Sequence, residues 1–216
     1  MSCAGQSELP DGYLSEAASC VRENGGLLIA DEVQVGFGRV GTHMWAFEDT
    51  GVVPDIVVMG KPIGNGHPMA AVFTTREIAS SFGEMEFFST FGGNPVSCAI
   101  GMAVMDVIEK DDLMARARDL GSRFKSGLNS LKDSHELIGD VRGRGLFLGL
   151  EMVRDPKSLA PAPEEAADFV NRMRNAGVLL STDGVYHNVV KIKPPMVLSE
   201  KDVDDTLEKM DSILSR

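Results

Sequence analysis

The sequence predicts an α/β fold, because short apolar runs alternate with segments of helical pattern. The runs lie at 27–30, 55–59 and 70–74, and the first two are typical of strands that are covered on both faces. Residues 13–24 have the amphipathic pattern of a helix, which a Gly-Gly pair ends. Strands and helices in this alternation favour an α/β sheet.

The rest of the chain is also predicted to alternate. A long helical stretch, with interruptions of charge, begins at Pro95 and runs to about residue 131, since proline suits a first helical turn and apolar residues recur at helical spacing behind it. Ser199 and Asp202 have the spacing of a capping box at the start of the last helix. The later elements are two strand pieces in 139–153, helices at 164–176 and 199–214, and strands at 178–181 and 189–193. The character of the sequence changes beyond the long stretch, and we therefore predict a domain boundary inside that stretch, near residues 96–105.

Composition and charge exclude several classes of protein as defaults. The 216 residues are 43% hydrophobic and 25% charged, as is typical of a globular protein with a real core. The net charge of −11, from 21 Lys and Arg against 32 Asp and Glu, opposes binding to nucleic acid or to a membrane through a general basic field. No apolar run approaches the ~20 residues that cross a bilayer, and the first residues have no signal-peptide pattern.

The cysteines and histidines predict neither a disulfide framework nor a metal site. Cys3, Cys20 and Cys98 lie far apart without a CxxC pair, and the four histidines have no ligand spacing. We therefore expect no metal, and the cysteine usage is typical of a reducing compartment.

Asp31 and Lys61 are the first candidates for chemistry. Each follows a predicted buried strand, at the edge of an α/β sheet where ligands bind. A lysine there, beside glycines and apolar residues, can have its amine desolvated and attack a carbonyl, while the acid can hold a protonated ring nitrogen. Both residues can instead be solvated loop charges, and position alone does not separate the two interpretations.

Residues 89–95 form a second candidate element. The sequence Ser-Thr-Phe-Gly-Gly-Asn-Pro offers hydroxyls, small residues and the N–H groups of a helix N-terminus, which together can hold a phosphate without a basic residue. The segment can also be only a turn that enters a helix. Neither a Walker motif nor a dinucleotide fingerprint is present.

Several motifs, in this order, resemble the class III pyridoxal-phosphate aminotransferases. They are Asp31-Glu32-Val33-Gln34-Val35-Gly36-Phe37-Gly38-Arg39, Pro54-Asp55-Ile56-Val57 leading to Gly60-Lys61, Gly64-Asn65-Gly66-His67-Pro68, Thr90-Phe91-Gly92-Gly93-Asn94-Pro95, Gly139-Asp140-Val141-Arg142-Gly143 and Lys191-Ile192-Lys193-Pro194-Pro195. They cover essentially the whole chain. The sequence around GNGHP, NPVSCA and KIKPPM most resembles the branch of phospho-lyases that act on ethanolamine phosphate or phosphohydroxylysine.

The resemblance implies a cofactor, pyridoxal 5'-phosphate, and a role for each matched residue. Lys61 matches the Schiff-base lysine, which also moves the proton at the substrate carbon. Asp31 matches the acid that keeps the pyridine nitrogen protonated, and Gln34 the residue that approaches the phenolic oxygen of the ring. Thr90 matches the hydroxyl that binds the cofactor phosphate from the neighbouring subunit. His67 and Arg39 are expected to be structural loop residues.

Lys191 departs from the pattern of many class III transaminases, which have an arginine at this point before Pro-Pro. Arginine forms a bidentate pair with a substrate α-carboxylate, and lysine does not supply that planar fork. A lysine suits a substrate such as ethanolamine phosphate, which has no carboxylate. Lys191 can equally be a solvated lysine at a strand end, beside Lys193.

The activity that the resemblance implies is elimination of phosphate from an amine phosphate. Lys61 would leave the cofactor when the substrate amine binds and remove a proton from the carbon that bears nitrogen. Phosphate would then leave the β-carbon, and an aldehyde and ammonia would follow. A true transaminase, which moves the amino group to a keto acid, uses the same residues and stays an alternative.

Length favours a third alternative. Members of the family are about twice as long, so the resemblance implies that this chain corresponds to their C-terminal half: a portion of the large domain of a fold type I transferase, residues 1–100, and the smaller α+β domain, residues 101–216. Such a chain can be an inactive fragment or a non-catalytic interaction protein, with an exposed sheet edge and weak or no turnover. The full-length family implies a homodimer or a dimer of dimers, small-molecule amine substrates, and a cytoplasmic or mitochondrial matrix setting.

Overall fold

The computed structural model describes residues 4–215, which form both helices and strands. The helices are α1 (Tyr13–Glu23), α2 (Arg76–Phe82), α3 (Pro95–Lys110), α4 (Leu113–Ser134), α5 (Pro163–Asn175) and α6 (Glu200–Leu214). The strands are β1 (Ile29–Asp31), β2 (Ile56–Met59), β3 (Ala71–Thr74), β4 (Ile138–Arg144), β5 (Phe147–Asp155), β6 (Ala160–Pro161), β7 (Ser181–Asp183) and β8 (Val189–Ile192). Two short 3-10 helices cover Ala46–Thr50 and Lys61–Gly64. The α/β prediction is confirmed.

The chain divides into two compact units. One, the three-strand unit, comprises Leu9–Gly38 and His43–Leu113, and the other, the five-strand unit, comprises the described parts of Met1–Glu8, Arg39–Thr42 and Met114–Arg216. These units are groups of mutual contacts and do not by themselves define evolutionary domains. The expected domain boundary at residue 100 therefore stays a prediction.

The three-strand unit contains a small sheet of order β1-β2-β3. β1 and β2 are parallel, and β2 and β3 are antiparallel. The expectation that the first strand is covered on both faces is wrong for this chain, because β1 lies at a sheet edge and Ile29 is 58% exposed. The core beneath the sheet is small and is built on Phe37, Met59 and Ile63.

The five-strand unit contains the larger core. Its sheet has the order β4-β5-β8-β7, with β6 on β5, and all of these pairings are antiparallel. α4 contributes buried side chains at helical spacing, of which Phe124 and Leu128 are the largest. α5 and α6 add Phe169 and Met210 to the same core, so that three amphipathic helices cover the sheet.

Two predicted elements end differently in the structure. The long helical stretch divides at Asp111-Asp112, where Asp112 adopts a left-handed backbone (φ 46°) that aspartate tolerates better than most residues. The apolar residues that follow α5 do not form a strand, because the Val178 N–H bonds the Met173 carbonyl oxygen at 2.9 Å and Gly177 has a φ of 86°. This closure of the helix C-terminus delays the strand to β7. The capping box at Ser199 and Asp202 is confirmed.

Candidate active site

Parallel pairing brings Asp31 and Lys61 to the same edge of the three-strand sheet. Asp31 is the last residue of β1 and lies opposite Val58 of β2. Lys61 comes two residues after the end of β2. The carboxyl ends of neighbouring parallel strands are where open α/β sheets bind ligands. The geometry thus groups an acid and a lysine at a sheet edge that suits a ligand.

Lys61 is held in a strained backbone conformation. Its φ is +33°, in the left-handed region that costs a non-glycine residue about 1–3 kcal/mol. Met59 and Ile63, on either side of it, are buried in the small core and fix the backbone there. Strain that a packed core maintains at a polar, exposed residue is typical of functional sites.

Asp31 is oriented by its own loop. Its Oδ1 accepts a hydrogen bond from the Val33 N–H at 3.0 Å, and the Glu32 N–H bonds the Val58 carbonyl oxygen at 2.9 Å. Asp31 and Lys61 are both exposed in this chain. The surroundings therefore do not desolvate the lysine amine as the sequence suggested.

Glu32 is a buried carboxylate that sequence reasoning missed. It is 2% exposed, and its two oxygens accept the backbone N–H groups of Ala46 and Phe47 at 2.9 and 3.0 Å. Burial raises the pKa of Glu32, and the two backbone hydrogen bonds oppose that rise only in part. The side chain ties the loop after β1 to the short helix at Ala46–Thr50 and so fixes the turn beside Asp31. The Asp-Glu pair that ends a strand was the only signal for it.

Gln34 and Thr90 occupy different parts of the three-strand unit. Gln34 is half-buried in the turn that follows β1, three residues from Asp31. Thr90 is exposed in the loop between α2 and α3. The structure thus places Gln34 near the Asp31 strand end and Thr90 on a separate loop.

The start of α3 offers fewer free donors than the sequence suggested. Pro95 has no N–H, the Ser97 N–H bonds the Asn94 Oδ1 at 2.9 Å, and the Cys98 N–H bonds the Asn94 carbonyl oxygen at 3.1 Å. Asn94 is therefore the N-cap of the helix. An anion at this loop would depend on hydroxyls such as that of Thr90 more than on the helix terminus.

A hydrogen-bonded chain joins the segment after Lys61 to the loop that carries Thr90. The Nε2 of His67 lies 2.7 Å from the Ser97 Oγ, and the Asn94 Nδ2 donates to that same Oγ at 2.9 Å. Asn94 Nδ2 also donates to the Phe91 carbonyl oxygen at 2.7 Å. Because these partners are about 30 residues apart in sequence, no local sequence pattern revealed this row of hydrogen-bonded side chains.

Lys191 lies in the five-strand unit and has an acidic partner. It is in β8, and its Nζ donates to the Asp183 Oδ2 of β7 at 3.2 Å. The Gln6 Nε2 donates to the same oxygen at 3.1 Å. The Lys191 side chain is 26% exposed, so a fully solvated strand-end lysine describes it poorly.

Other sequence expectations concern metals, cysteines and membranes. Within residues 4–215, no group of three His, Cys, Asp or Glu side chains is placed to hold a metal ion. Cys20 and Cys98 are free and exposed, and Cys3 lies outside the described residues. No helix of the described chain has the length and apolarity to cross a bilayer.

An exposed lysine and an acid at the edge of an α/β sheet are groups that can bind a carbonyl cofactor. The chain belongs to the class III aminotransferases, whose family model matches residues 2–214. The resemblance inferred from the motifs is thereby confirmed. Members of this family depend on pyridoxal phosphate.

Some relatives of this chain are named as aminotransferases and others as phospho-lyases. An alanine–glyoxylate aminotransferase 2-like protein of Drosophila melanogaster is 52% identical over 95% of this chain and 42% of its own length. The ethanolamine-phosphate phospho-lyase homolog 1 of Caenorhabditis elegans is 43% identical over 99% of this chain and 47% of its own. The structure of an Arthrobacter phospholyase in complex with phosphoethanolamine superposes with a TM-score of 0.95, at 43% identity, over 99% of this chain and 51% of that one. The chain thus spans about half the length of these relatives.

The residues at the sheet edge suit the family's cofactor. A carboxylate at the end of β1 can hold a proton on a pyridine nitrogen, and an exposed amine on the neighbouring strand end can reach an aldehyde. The hydroxyl of Thr90 can donate to a phosphate oxygen. The three-strand unit therefore contains residues whose chemistry suits the ring nitrogen, the aldehyde and the phosphate of this cofactor.

Proposed function

We propose that the chain is part of a pyridoxal-phosphate enzyme that eliminates phosphate from an amine phosphate such as ethanolamine phosphate. The observation that supports the cofactor assignment is the location of Asp31 and the strained Lys61 at the same edge of the sheet. The phospho-lyase names of the C. elegans relative and of the Arthrobacter structure, which contains phosphoethanolamine, support the reaction. With water, the substrate would give an aldehyde, ammonia and inorganic phosphate.

Each residue of the site has a defined task in this proposal. When bound, pyridoxal phosphate supplies an electron sink for the charge that develops on the substrate carbon. The Asp31 carboxylate would hold a proton on the ring nitrogen, Gln34 would serve the phenolic oxygen, and the Thr90 hydroxyl would donate to the phosphate. The Lys61 amine would hold the cofactor through its aldehyde and, when free, would act as the base for the proton on the substrate carbon that bears nitrogen.

Lys191 is consistent with a substrate that lacks a carboxylate. A transaminase that clamps an α-carboxylate with an arginine needs a planar, bidentate donor. Lys191 has no such fork, and its ammonium already has Asp183 as a partner. The role of Lys191 toward substrate stays a prediction.

The Drosophila relative's name favours a second candidate, a transaminase. The transaminase would use the same Asp31 and Lys61, but Lys61 would return the proton to the cofactor and a keto acid would receive the amino group.

We also propose assembly as a homodimer in which Thr90 serves the neighbouring subunit, in the cytoplasm or the mitochondrial matrix. A non-catalytic chain is the third candidate, because the chain spans about half of its relatives.

The cofactor assignment is tested by covalent capture. The wild-type chain, incubated with pyridoxal phosphate, should gain a visible absorbance band, and borohydride reduction should fix the adduct on the peptide that contains Lys61. Lys61→Ala should lose both the band and the adduct. Lys157→Ala, which removes an exposed loop lysine, is the matched control and should keep both. Capture on lysines other than Lys61 would refute the assignment.

The reaction is tested by its products. The cofactor-loaded chain is given ethanolamine phosphate without a keto acid, and inorganic phosphate is measured. Release that Lys61→Ala abolishes supports the phospho-lyase. A parallel reaction that contains a keto acid measures amino transfer. Amino transfer there, without phosphate release in either reaction, overturns the phospho-lyase in favour of the transaminase, and capture without either product overturns both in favour of a non-catalytic chain.

A further inference from the structure

Three side chains connect the two loops to which the proposed function assigns the cofactor. His67 lies three residues beyond the short helix Lys61–Gly64, and its N–H bonds the Gly64 carbonyl oxygen at 3.0 Å. On the other side, Asn94 caps α3 and holds the Phe91 carbonyl oxygen at 2.7 Å, one residue from Thr90. Ser97 lies between them and contacts both His67 and Asn94. The three form the His67–Ser97–Asn94 chain.

A second contact keeps the same two elements together. Gly101, one turn further along α3, is buried, and a Cβ built on it would lie 2.9 Å from the Cε and 3.1 Å from the Sδ of Met69. Met69 belongs to the segment that runs from Lys61 past His67 and packs against the small core. The segment is therefore already seated on α3, and the His67–Ser97–Asn94 chain has a rigid platform.

The donors and acceptors of the three side chains fix the direction of the hydrogen bonds in the His67–Ser97–Asn94 chain. Asn94 Nδ2 is a donor only, so the Ser97 Oγ accepts from it and keeps a second lone pair and one proton for His67. Asn94 uses its Oδ1 for the Ser97 N–H and its Nδ2 for Phe91 and Ser97. Loss of His67 therefore leaves the half-buried Ser97 hydroxyl short of a partner and loosens the side chain that holds the turn at Phe91.

We propose that His67 is a positioning residue that acts through Ser97 and Asn94 to set the Thr90 loop for the cofactor phosphate. This inference rests on the proposed function in taking pyridoxal phosphate as the ligand. His67 itself need not contact the ligand. Its effect should be confined to the phosphate, because the hydrogen bonds lead from His67 to the Phe91 carbonyl oxygen, in the loop that carries Thr90.

Amide hydrogen exchange tests the role of the His67–Ser97–Asn94 chain without any cofactor. In His67→Ala, the amides of residues 89–94 should exchange about tenfold faster than in the wild-type chain, as expected for the loss of about one hydrogen bond. Ser97→Ala, which keeps the backbone N–H that Asn94 caps, should have the same effect and replaces His67→Ala if that variant folds poorly. His67→Gln should restore slow exchange, because its Nε2 can donate to the Ser97 Oγ from a similar position.

Two aldehydes test the role toward phosphate. Pyridoxal phosphate and pyridoxal attach to the same lysine, but pyridoxal has no phosphate group. His67→Ala should weaken capture of pyridoxal phosphate about tenfold and leave capture of pyridoxal unchanged, and His67→Gln should restore the former. Thr90→Ala should give the same selective loss, and the double variant should lose no more than either single variant.

The controls separate this inference from the proposed function. His135→Gln removes a histidine of the five-strand unit that lies 2.7 Å from Asp211, and it should alter neither exchange at 89–94 nor capture. Equal losses for both aldehydes, or no rescue by His67→Gln, would overturn the inference while the proposed function stands. If the wild-type chain captures neither aldehyde, the proposed function fails, and unchanged exchange in His67→Ala would then show that His67 does not hold the loop.

Discussion

The carboxylate of Glu8, near the start of the sequence, has three partners. Its oxygens accept the Gly143 N–H at 2.8 Å and the Arg144 Nε at 3.0 Å, and Lys125 Nζ lies 3.4 Å away. Burial acts to raise the pKa of Glu8, but the hydrogen bonds of Arg144 and Gly143 and the charge of Lys125 outweigh it, so the pKa is lowered. The ionised form therefore stabilises the fold.

Glu8→Gln is predicted to make the stability of the chain less dependent on acid pH. A lowered pKa adds free energy of unfolding that is fully present above the unfolded-state value of about 4.3 and is lost as the pH falls through the folded-state value. The variant should lose about 1–2 kcal/mol at pH 7, and its difference from the wild-type chain should shrink below about pH 4. Urea unfolding at a series of pH values measures both.

The matched control for that prediction is Glu23→Gln. Glu23 is an exposed residue at the end of α1, so its substitution should change the free energy of unfolding very little at any pH. A constant difference between Glu8→Gln and the wild-type chain down to pH 3 would contradict the role assigned to the ionised carboxylate.

Residues differ in how far sequence alone reveals them. The positions of Asp31 and Lys61 at strand ends could be predicted, because an apolar run that ends in a polar residue identifies a strand terminus. Glu8, His67 and Ser97 could not, since each depends on a partner that only the folded chain brings near. The acidic partner of Lys191 was hidden for the same reason.

At the scale of elements, α4 lies directly against the turn between β4 and β5. A Cβ on Gly121 of α4 would lie 2.3 Å from the Gly145 carbonyl oxygen, a distance that real Cβ atoms do not adopt. Gly145 itself has a φ of 52° and belongs to the short connection between the two strands. The absence of a side chain at Gly121 thus sets how closely the helix approaches the sheet.

Gly121→Ala is predicted to destabilise the chain by about 1–3 kcal/mol, although alanine is the better helix former. The new methyl group has no room unless α4 or the turn moves. Ser126→Ala, at an exposed position of the same helix, is the control and should be neutral or slightly stabilising. Thermal and urea unfolding measure the change, and a Gly121→Ala chain as stable as the wild type would contradict the tight approach.

Element type was easier to predict than element boundaries. Hydrophobic periodicity identified α1, α5 and α6 and the strands β1 to β3, because burial imposes that pattern directly. It did not identify α2, which is short and has no buried residue. It also misplaced β7, since the apolar residues before this strand end a helix by backbone hydrogen bonds that hydrophobicity does not reveal.

At the scale of the whole molecule, a high negative charge coexists with exposed apolar side chains. Phe87, Phe88 and Phe91, in the loop before α3, are 68%, 85% and 80% exposed. Exposed clusters of this kind favour association, and the net charge of −11 opposes it by mutual repulsion.

Salt is therefore predicted to promote self-association of the chain. Screening shortens the reach of repulsion from about 10 Å at 0.1 M to about 3 Å at 1 M ionic strength, while apolar attraction persists. The average mass from light scattering should rise with salt, and less so for Phe88→Ser. Glu84→Gln, an exposed position on the same loop, should associate at least as readily as the wild type. A mass that does not change with salt would contradict this balance.

At Lys61, the left-handed backbone conformation makes lysine less favourable for stability than glycine, although the proposed chemistry requires lysine. Glycine adopts this conformation without a steric cost, and asparagine does so more readily than lysine. A library of variants that is selected only for thermal resistance should therefore accumulate glycine or asparagine at position 61, whereas selection for cofactor capture should return lysine. The residue that persists there after neutral drift would reveal which of the two properties the cell requires of this chain.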